Sequence, residues 1–384
     1  MSTESSPDWQ HWYRLSLNYG LSVAQKLALL KRLSLPENIF AASSREIAEI
    51  VGEEAAAALR LRMAELDEGL AACELWLTKS ADHHLISLVD THFPKALLDL
   101  ADPPLLLFAC GKLSALTPPS LAIVGSRSAS PQGLENAKAF AKSMGKAGYG
   151  VVSGLALGID TSAHEGALEA GAPTIAVVGT GIDRVYPARN HRLAQEIAAQ
   201  GVILSEFALG APPLQQHFPR RNRLIAALAK GVLVVEAAKL SGSLITARLA
   251  LEIGREVFAI PGSIHSAVSK GCHQLIRQGA KLVESAQDII EELEPLSEAG
   301  ATQPLWEPCD QEAAGDQGAL LGARAVAVDP VLEAMGFDPV QLLDITRRCK
   351  LPSHRVQTRL LELELLGQIA RLDDGRLLQI VEAT

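Results

Sequence analysis

Between residue 121 and about 285, short apolar runs recur at a regular interval: 121–124, 151–152, 174–178, 202–204, 232–235, 257–260 and 281–283. Segments long enough for helices lie between most of them. The runs are continuous rather than alternating, as expected of strands buried on both faces. Strand–helix alternation of this kind predicts a doubly wound, mostly parallel sheet in an α/β fold. Ser130 followed by Pro131 reads as a helix cap and first helical position. Gly171, Gly201 and Gly231 stand where left-handed caps are expected to close helices.

The pattern changes outside this block. Residues 1–85 read as a small helical domain of the sterile-alpha-motif or helix-hairpin-helix kind. Ser43 and Glu46 have capping-box spacing ahead of Ile47 and Ile50, and apolar residues at helical spacing run on to Leu75. Residues 86–120 read as a connector marked by Pro94, Pro103-Pro104 and Pro118-Pro119. The doubly wound domain then spans 121–290, and 291–328 is an acidic linker carrying Pro295, Pro304 and Pro308. In 329–384, two helices (340–349 and 353–366) precede the runs 368–372 and 376–381. Asp374-Gly375 between those runs is a hairpin signal, so the segment reads as a winged helix.

Composition narrows the class. The chain has 384 residues, 48% hydrophobic but only 4% aromatic. No apolar run reaches the ~18 residues of a membrane helix, and the first residues lack the basic and apolar regions of a secretory signal. The five cysteines are scattered and never form a CxxC pair, which points to a reducing cytoplasm without disulfides or zinc. The histidines form no metal constellation, so neither metal nor cofactor is expected. A net charge of −9 opposes nucleic-acid binding when taken as a total, but ten acidic residues and no Lys or Arg lie in 282–323, leaving +1 for the rest. Residues 216–255 hold seven Lys/Arg against two Glu. Local field, not total charge, governs polyanion binding.

In such sheets ligands bind beyond the carboxyl ends of the strands, where the small polar residues of this chain collect. Gly125, Ser126 and Arg127 follow the first run; Ser153, Gly154, Ala156, Gly158, Asp160 and Thr161 follow the second; Gly179-Thr180-Gly181 follows the third. Ser241, Gly242, Ser243 and Thr246 come after the fifth. Phe218, Arg220, Arg221, Asn222 and Arg223 open a helix, where free backbone N–H groups favour anions. Guanidinium forks match phosphate oxygens and an aromatic face stacks on any base. Together they point to single-stranded nucleic acid. A dinucleotide oxidoreductase is disfavoured, because Gly125-Ser126-Arg127 breaks GxGxxG at its second glycine. A nucleotide hydrolase needs a carboxylate at a strand end. Glu206 and Glu236 are the candidates, and neither has an obvious partner base.

Five linked motifs resemble the DNA-processing protein A (DprA/Smf) family: Gly125-Ser126-Arg127; Ser153-Gly154 through Gly158-Ile159-Asp160; Phe218 with Arg221-Asn222-Arg223 and Ile225; Ser241-Gly242-Ser243 with Thr246-Ala247; and Pro261-Gly262 through Gly271-Cys272 to Leu275-Ile276. The resemblance is densest over 120–283. It implies a dimeric, extended Rossmann-like protein that binds and protects single-stranded DNA in natural transformation. Such proteins load the RecA recombinase onto that DNA and have no catalytic residue. By position, Arg127, Arg221 and Arg223 would hold phosphates and Phe218 would stack near a base. The loops 154–161 and 241–246 would supply backbone N–H groups, with Arg220 as an added cation. The sheet also resembles the lysine-decarboxylase-like nucleotide hydrolases, but their PGGxGTxxE motif is absent. The corresponding loop is Ser241-Gly242-Ser243-Leu244-Ile245-Thr246, and the next acid is Glu252.

Overall fold

The computed structural model describes residues 9–61, 63–293, 329–336, 339–349, 351–366, 368–372 and 375–379. Six helices come first: α1 (Trp9–Ser16), α2 (Val23–Leu33), α3 (Pro36–Ala41), α4 (Ser44–Val51), α5 (Glu53–Leu61) and α6 (Met63–Thr78). Strands β1 (His83–Ser87) and β2 (Leu106–Gly111) follow. The central block runs β3 (Ser120–Val124), α7 (Pro131–Lys146), β4 (Gly150–Ser153), α8 (Ile159–Glu169), β5 (Thr174–Val177), α9 (His191–Gln200) and β6 (Val202–Ser205). It continues as α10 (His217–Leu228), β7 (Gly231–Val234), α11 (Gly242–Glu252), β8 (Glu256–Ala259), α12 (Lys270–Arg277), β9 (Lys281–Leu282) and α13 (Ala286–Leu293).

One nine-stranded sheet has the order β1-β2-β6-β5-β4-β3-β7-β8-β9. Strands β3 to β9 pair in parallel, as their continuous apolar runs predict, whereas β1–β2 and β2–β6 are antiparallel. Successive residues of β3 face opposite layers. Ala122 and Val124 pack with Leu224 and Ile225 of α10, while Leu121 and Ile123 pack with Phe140 of α7 and Ile159 of α8. Covering both faces excludes water from the backbone ladder. Each fully buried large aliphatic or aromatic side chain contributes about 1.5–3 kcal/mol. The chain winds from β3 out to β6, then returns to β7 on the other flank of β3. That reversal makes a topological switch point beside β3, the place where such sheets open a crevice.

Two expectations change here. Residues 86–120 are more than a connector, because β2 lies within them and joins the main sheet. Its residues Leu106 and Phe108 enter the core of the N-terminal helices, with Trp12, Leu29 and Ile47. Prolines framing a short apolar run resemble a linker locally, and only pairing with β6 reveals the strand. Of the three expected left-handed caps, only Gly171 has positive φ, at 68°. Gly201 has φ −130°, and a Cβ there would lie 2.1 Å from the Thr174 carbonyl oxygen. Gly231 begins β7, where a Cβ would lie 2.7 Å from the Phe258 ring. Those two glycines serve close packing.

The C-terminal part is a winged helix with α14 (Pro330–Met335), α15 (Leu342–Cys349), α16 (Ser353–Leu365), β10 (Ile369–Arg371) and β11 (Leu377–Gln379). Asp329 caps α14 by accepting from the Val331 N–H. Strands β10 and β11 pair antiparallel, and Val340 bridges to Leu377. Gly375 has φ 81°; its partner in the hairpin signal, Asp374, lies outside the described residues. So does the acidic linker from residue 294 on, while 291–293 complete α13. Among the described residues, no helix is long and apolar enough to cross a membrane.

Candidate nucleic-acid interface

The expected rim comes together at the switch point. A hollow of about 390 Å³ is lined by Gly125, Ser126 and Arg127 from the loop after β3, and by Ala156 and Asp160 from the β4–α8 turn. Phe218, Arg221 and Asn222 of α10 form a second wall. Ser241, Gly242, Ser243 and Thr246 form a third. A smaller recess of about 80 Å³ adjoins it, walled by Arg127, Gly154, Gly179, Tyr186, Phe218 and Arg221. Ser153, Gly158, Thr161, Arg220 and Arg223 line neither space.

The loops are held by internal bonds. Gly125 has no room for a side chain: a Cβ would lie 2.6 Å from Ile159 and 2.9 Å from the Glu236 carbonyl oxygen. Ser126 donates its N–H to that same carbonyl at 2.7 Å. In the β4–α8 turn, Asp160 accepts from the N–H groups of Gly154 (3.1 Å) and Ala156 (3.3 Å). Those two amides are therefore committed to Asp160. Burial raises the Asp160 carboxyl above its usual range, opposed by the Arg221 guanidinium and by the two amides. Ser153 pins β4 to β3 through the Ile123 carbonyl, and Thr161 donates to the Ala156 carbonyl. Leu155 is buried at φ 58°, a conformation costing a non-glycine residue about 1–2 kcal/mol. Asn190 supports it by donating to the Leu155 carbonyl at 2.9 Å.

The arginines divide sharply. Arg127 is exposed and its guanidinium carbon lies 5.3 Å from the centre of the Phe218 ring. Among the described residues no carboxylate pairs with it. Arg221 is 5% exposed and donates to the carbonyls of Gly154 and Val177. A Cβ on Gly154 would meet its Nη1 at 2.0 Å, so that glycine makes way for the guanidinium. Burial brings Arg221 down to about 10, with Asp160 opposing and Arg127 adding to the fall. Arg223 is also 5% exposed, paired with Glu206 and donating to the Asp102 carbonyl at 2.6 Å. Its guanidinium faces the interior, away from the hollow. Arg220 reaches Glu206 as well and lies over Phe207 at 5.9 Å. Asn222 donates to the Gly242 carbonyl at 3.4 Å.

The two candidate carboxylates of the hydrolase reading are both engaged. Glu206 is shared between Arg223 and Arg220. Glu236 accepts from the Ser130 N–H at 2.9 Å and the Ser130 hydroxyl at 2.5 Å, closing the start of α7. Among the described residues no cluster of His, Cys, Asp and Glu is arranged to hold a metal ion. Tyr186 is a wall that the sequence reading missed. It precedes Pro187 after β5 and its ring centre lies 5.9 Å from that of Phe218, inclined at 43°. An aromatic in a strand-end loop was the available signal. With Phe218 it makes an aromatic mouth to the recess, and Arg127 supplies the exposed cation beside it.

Residues 84–294 match the profile of the family described as DNA recombination-mediator protein A, and 325–375 match the DprA winged helix domain. The chain is 44% identical to DNA processing protein DprA of Streptococcus pneumoniae over 284 residues, which are 72% of this chain and 91% of that protein. It is 43% identical to protein Smf of Escherichia coli over 308 residues, 78% of each. The crystal structure of the pneumococcal protein superposes with a TM-score of 0.65 at 42% identity, covering 74% of this chain and 98% of that one. A Helicobacter pylori DNA processing protein A, solved for its single-stranded DNA binding mode, matches with a TM-score of 0.51 at 34% identity. That match covers 55% of this chain and 95% of the other. Fold, motif order and these matches agree: the chain belongs to the DNA recombination-mediator protein A family.

Proposed function

We propose that this protein binds single-stranded DNA across the switch-point hollow, protects it, and loads RecA onto it during recombination of DNA taken up in natural transformation. It does so in the cytoplasm as a homodimer and without catalytic turnover. The observation that carries the reading is Arg127, exposed over the Phe218 ring at 5.3 Å, at the mouth of a hollow walled by glycine and serine loops. A phosphate placed against Arg127 puts its base within reach of Phe218 and Tyr186. Stacking of this kind tolerates every base, because each has a π-face. The engagement of Glu206 and Glu236 elsewhere supports binding over hydrolysis.

Fluorescence anisotropy with single strands and duplexes of equal length tests this, with nucleoside monophosphate hydrolysis assayed in parallel. The expected outcome is preference for single strands, little dependence on sequence and no release of free base. Equal affinity for duplex, or base release lost in Glu206→Gln or Glu236→Gln, would overturn it. RecA filament nucleation on the bound strand is expected to quicken in the protein's presence.

A further inference from the structure

A second hollow, of about 420 Å³, opens on the other side of Ser128, a residue that walls both spaces. Its floor is the start of α7, with Ser130 and Asn136; its side is the loop at Gly262 and Ser263. The roof belongs to the winged helix, through Leu332 of α14 and Gly336 at its end. Arg348 holds that roof down, donating to Glu135 at 2.7 Å and to the Gln132 amide oxygen at 3.1 Å. Arg347 adds a contact to Glu135 at 3.3 Å.

Its chemistry differs from that of the first hollow. Among the described residues no Lys, Arg or His faces it, and its charged groups are Glu236 and Glu333. Carboxylates repel phosphate, and the anion-binding start of α7 already carries Glu236 on Ser130. The remaining lining offers hydroxyls, the amides of Gln132, Asn136 and Gln379, and apolar surface, which suit a neutral, flat group bearing hydrogen-bond donors and acceptors. At this volume a nucleobase fits.

We propose that this hollow is a further subsite for the same DNA strand. It takes the base of a nucleotide next to the one held at Phe218, while the phosphate between them stays against Arg127. The winged helix then contributes to single-strand binding as a roof over that base. The inference rests on the single-strand reading above, so the experiment reads the two apart.

An oligothymidine of fixed length, carrying one abasic site moved along it, is titrated against the full chain. Two abasic positions should weaken binding to the parent, one for the recess at Phe218 and one for this hollow. The second loss should be about fivefold, the scale of a few base-edge contacts. Asn136→Trp fills the hollow from α7 and should erase only the second position. Arg348→Ala, which frees the roof without filling the space, should reduce that same loss. A parent profile with one sensitive position, or an unaltered second position in both variants, overturns the subsite. A parent that binds no single strand overturns the DNA reading itself.

Discussion

The loop after β3 and the start of α10 both carry arginine beside the same hollow, yet they spend it differently. Arg127 stands exposed with an aromatic ring beneath it. Arg221 and Arg223 are buried, one bonded to two carbonyls and the other to Glu206. A guanidinium in water gains from meeting a phosphate, whereas a buried one is already committed to its internal acceptors. The difference teaches that arginine content locates a binding region, and that exposure and prior partners decide which arginine meets the ligand. Arg221 builds the wall, Arg223 braces the interior beside it, and in the proposed binding mode Arg127 offers the charge.

The comparison breaks most visibly through stability. Arg223→Ala leaves Glu206 buried beside half-exposed Arg220, and loss of one partner of a buried pair costs about 3–5 kcal/mol. Urea unfolding checks this, and a cost below 1 kcal/mol would return Arg223 to the surface group. Burial also sets His164, which is pushed down to about 3 by desolvation and then by Arg221. The folded state keeps it neutral, while the unfolded chain takes a proton below its ordinary value near 6.5. Stability is therefore lost as pH falls from about 6.5 towards 3, at up to about 1.4 kcal/mol per unit. His164→Leu should flatten that slope, and an unchanged slope would remove His164 from the account. A smaller effect is expected at the mouth: Phe218→Leu keeps an apolar side chain but loses the ring, weakening strand binding by about 1–3 kcal/mol with folding retained. Unchanged anisotropy titrations would show that Phe218 is a packing residue.

Much of the sheet was legible because its strands are buried on both faces and read as continuous apolar runs. Strand β2 was not, since its prolines imitate a linker and its place depends on antiparallel pairing with β6. The six-residue α14 was too short to show a period. The rim loops were visible as clusters of glycine and serine, but the destinations of their side chains were not. Arg221 finds its acceptor in Gly154, 67 positions away, and Glu236 finds Ser130 at a separation of 106. Tyr186 escaped notice for the same reason: it meets Phe218 only because the loop after β5 packs against the start of α10.

The salt dependence of oligothymidine binding tests the central claim most directly, compared between the parent and Arg127→Ala. A phosphate neutralised by one cation adds about 0.7 to the slope of log affinity against log salt for a single strand. The account predicts that Arg127→Ala, folded as the parent by urea unfolding, binds more weakly with a slope flatter by about that amount. An unchanged affinity and slope in the folded variant would contradict it.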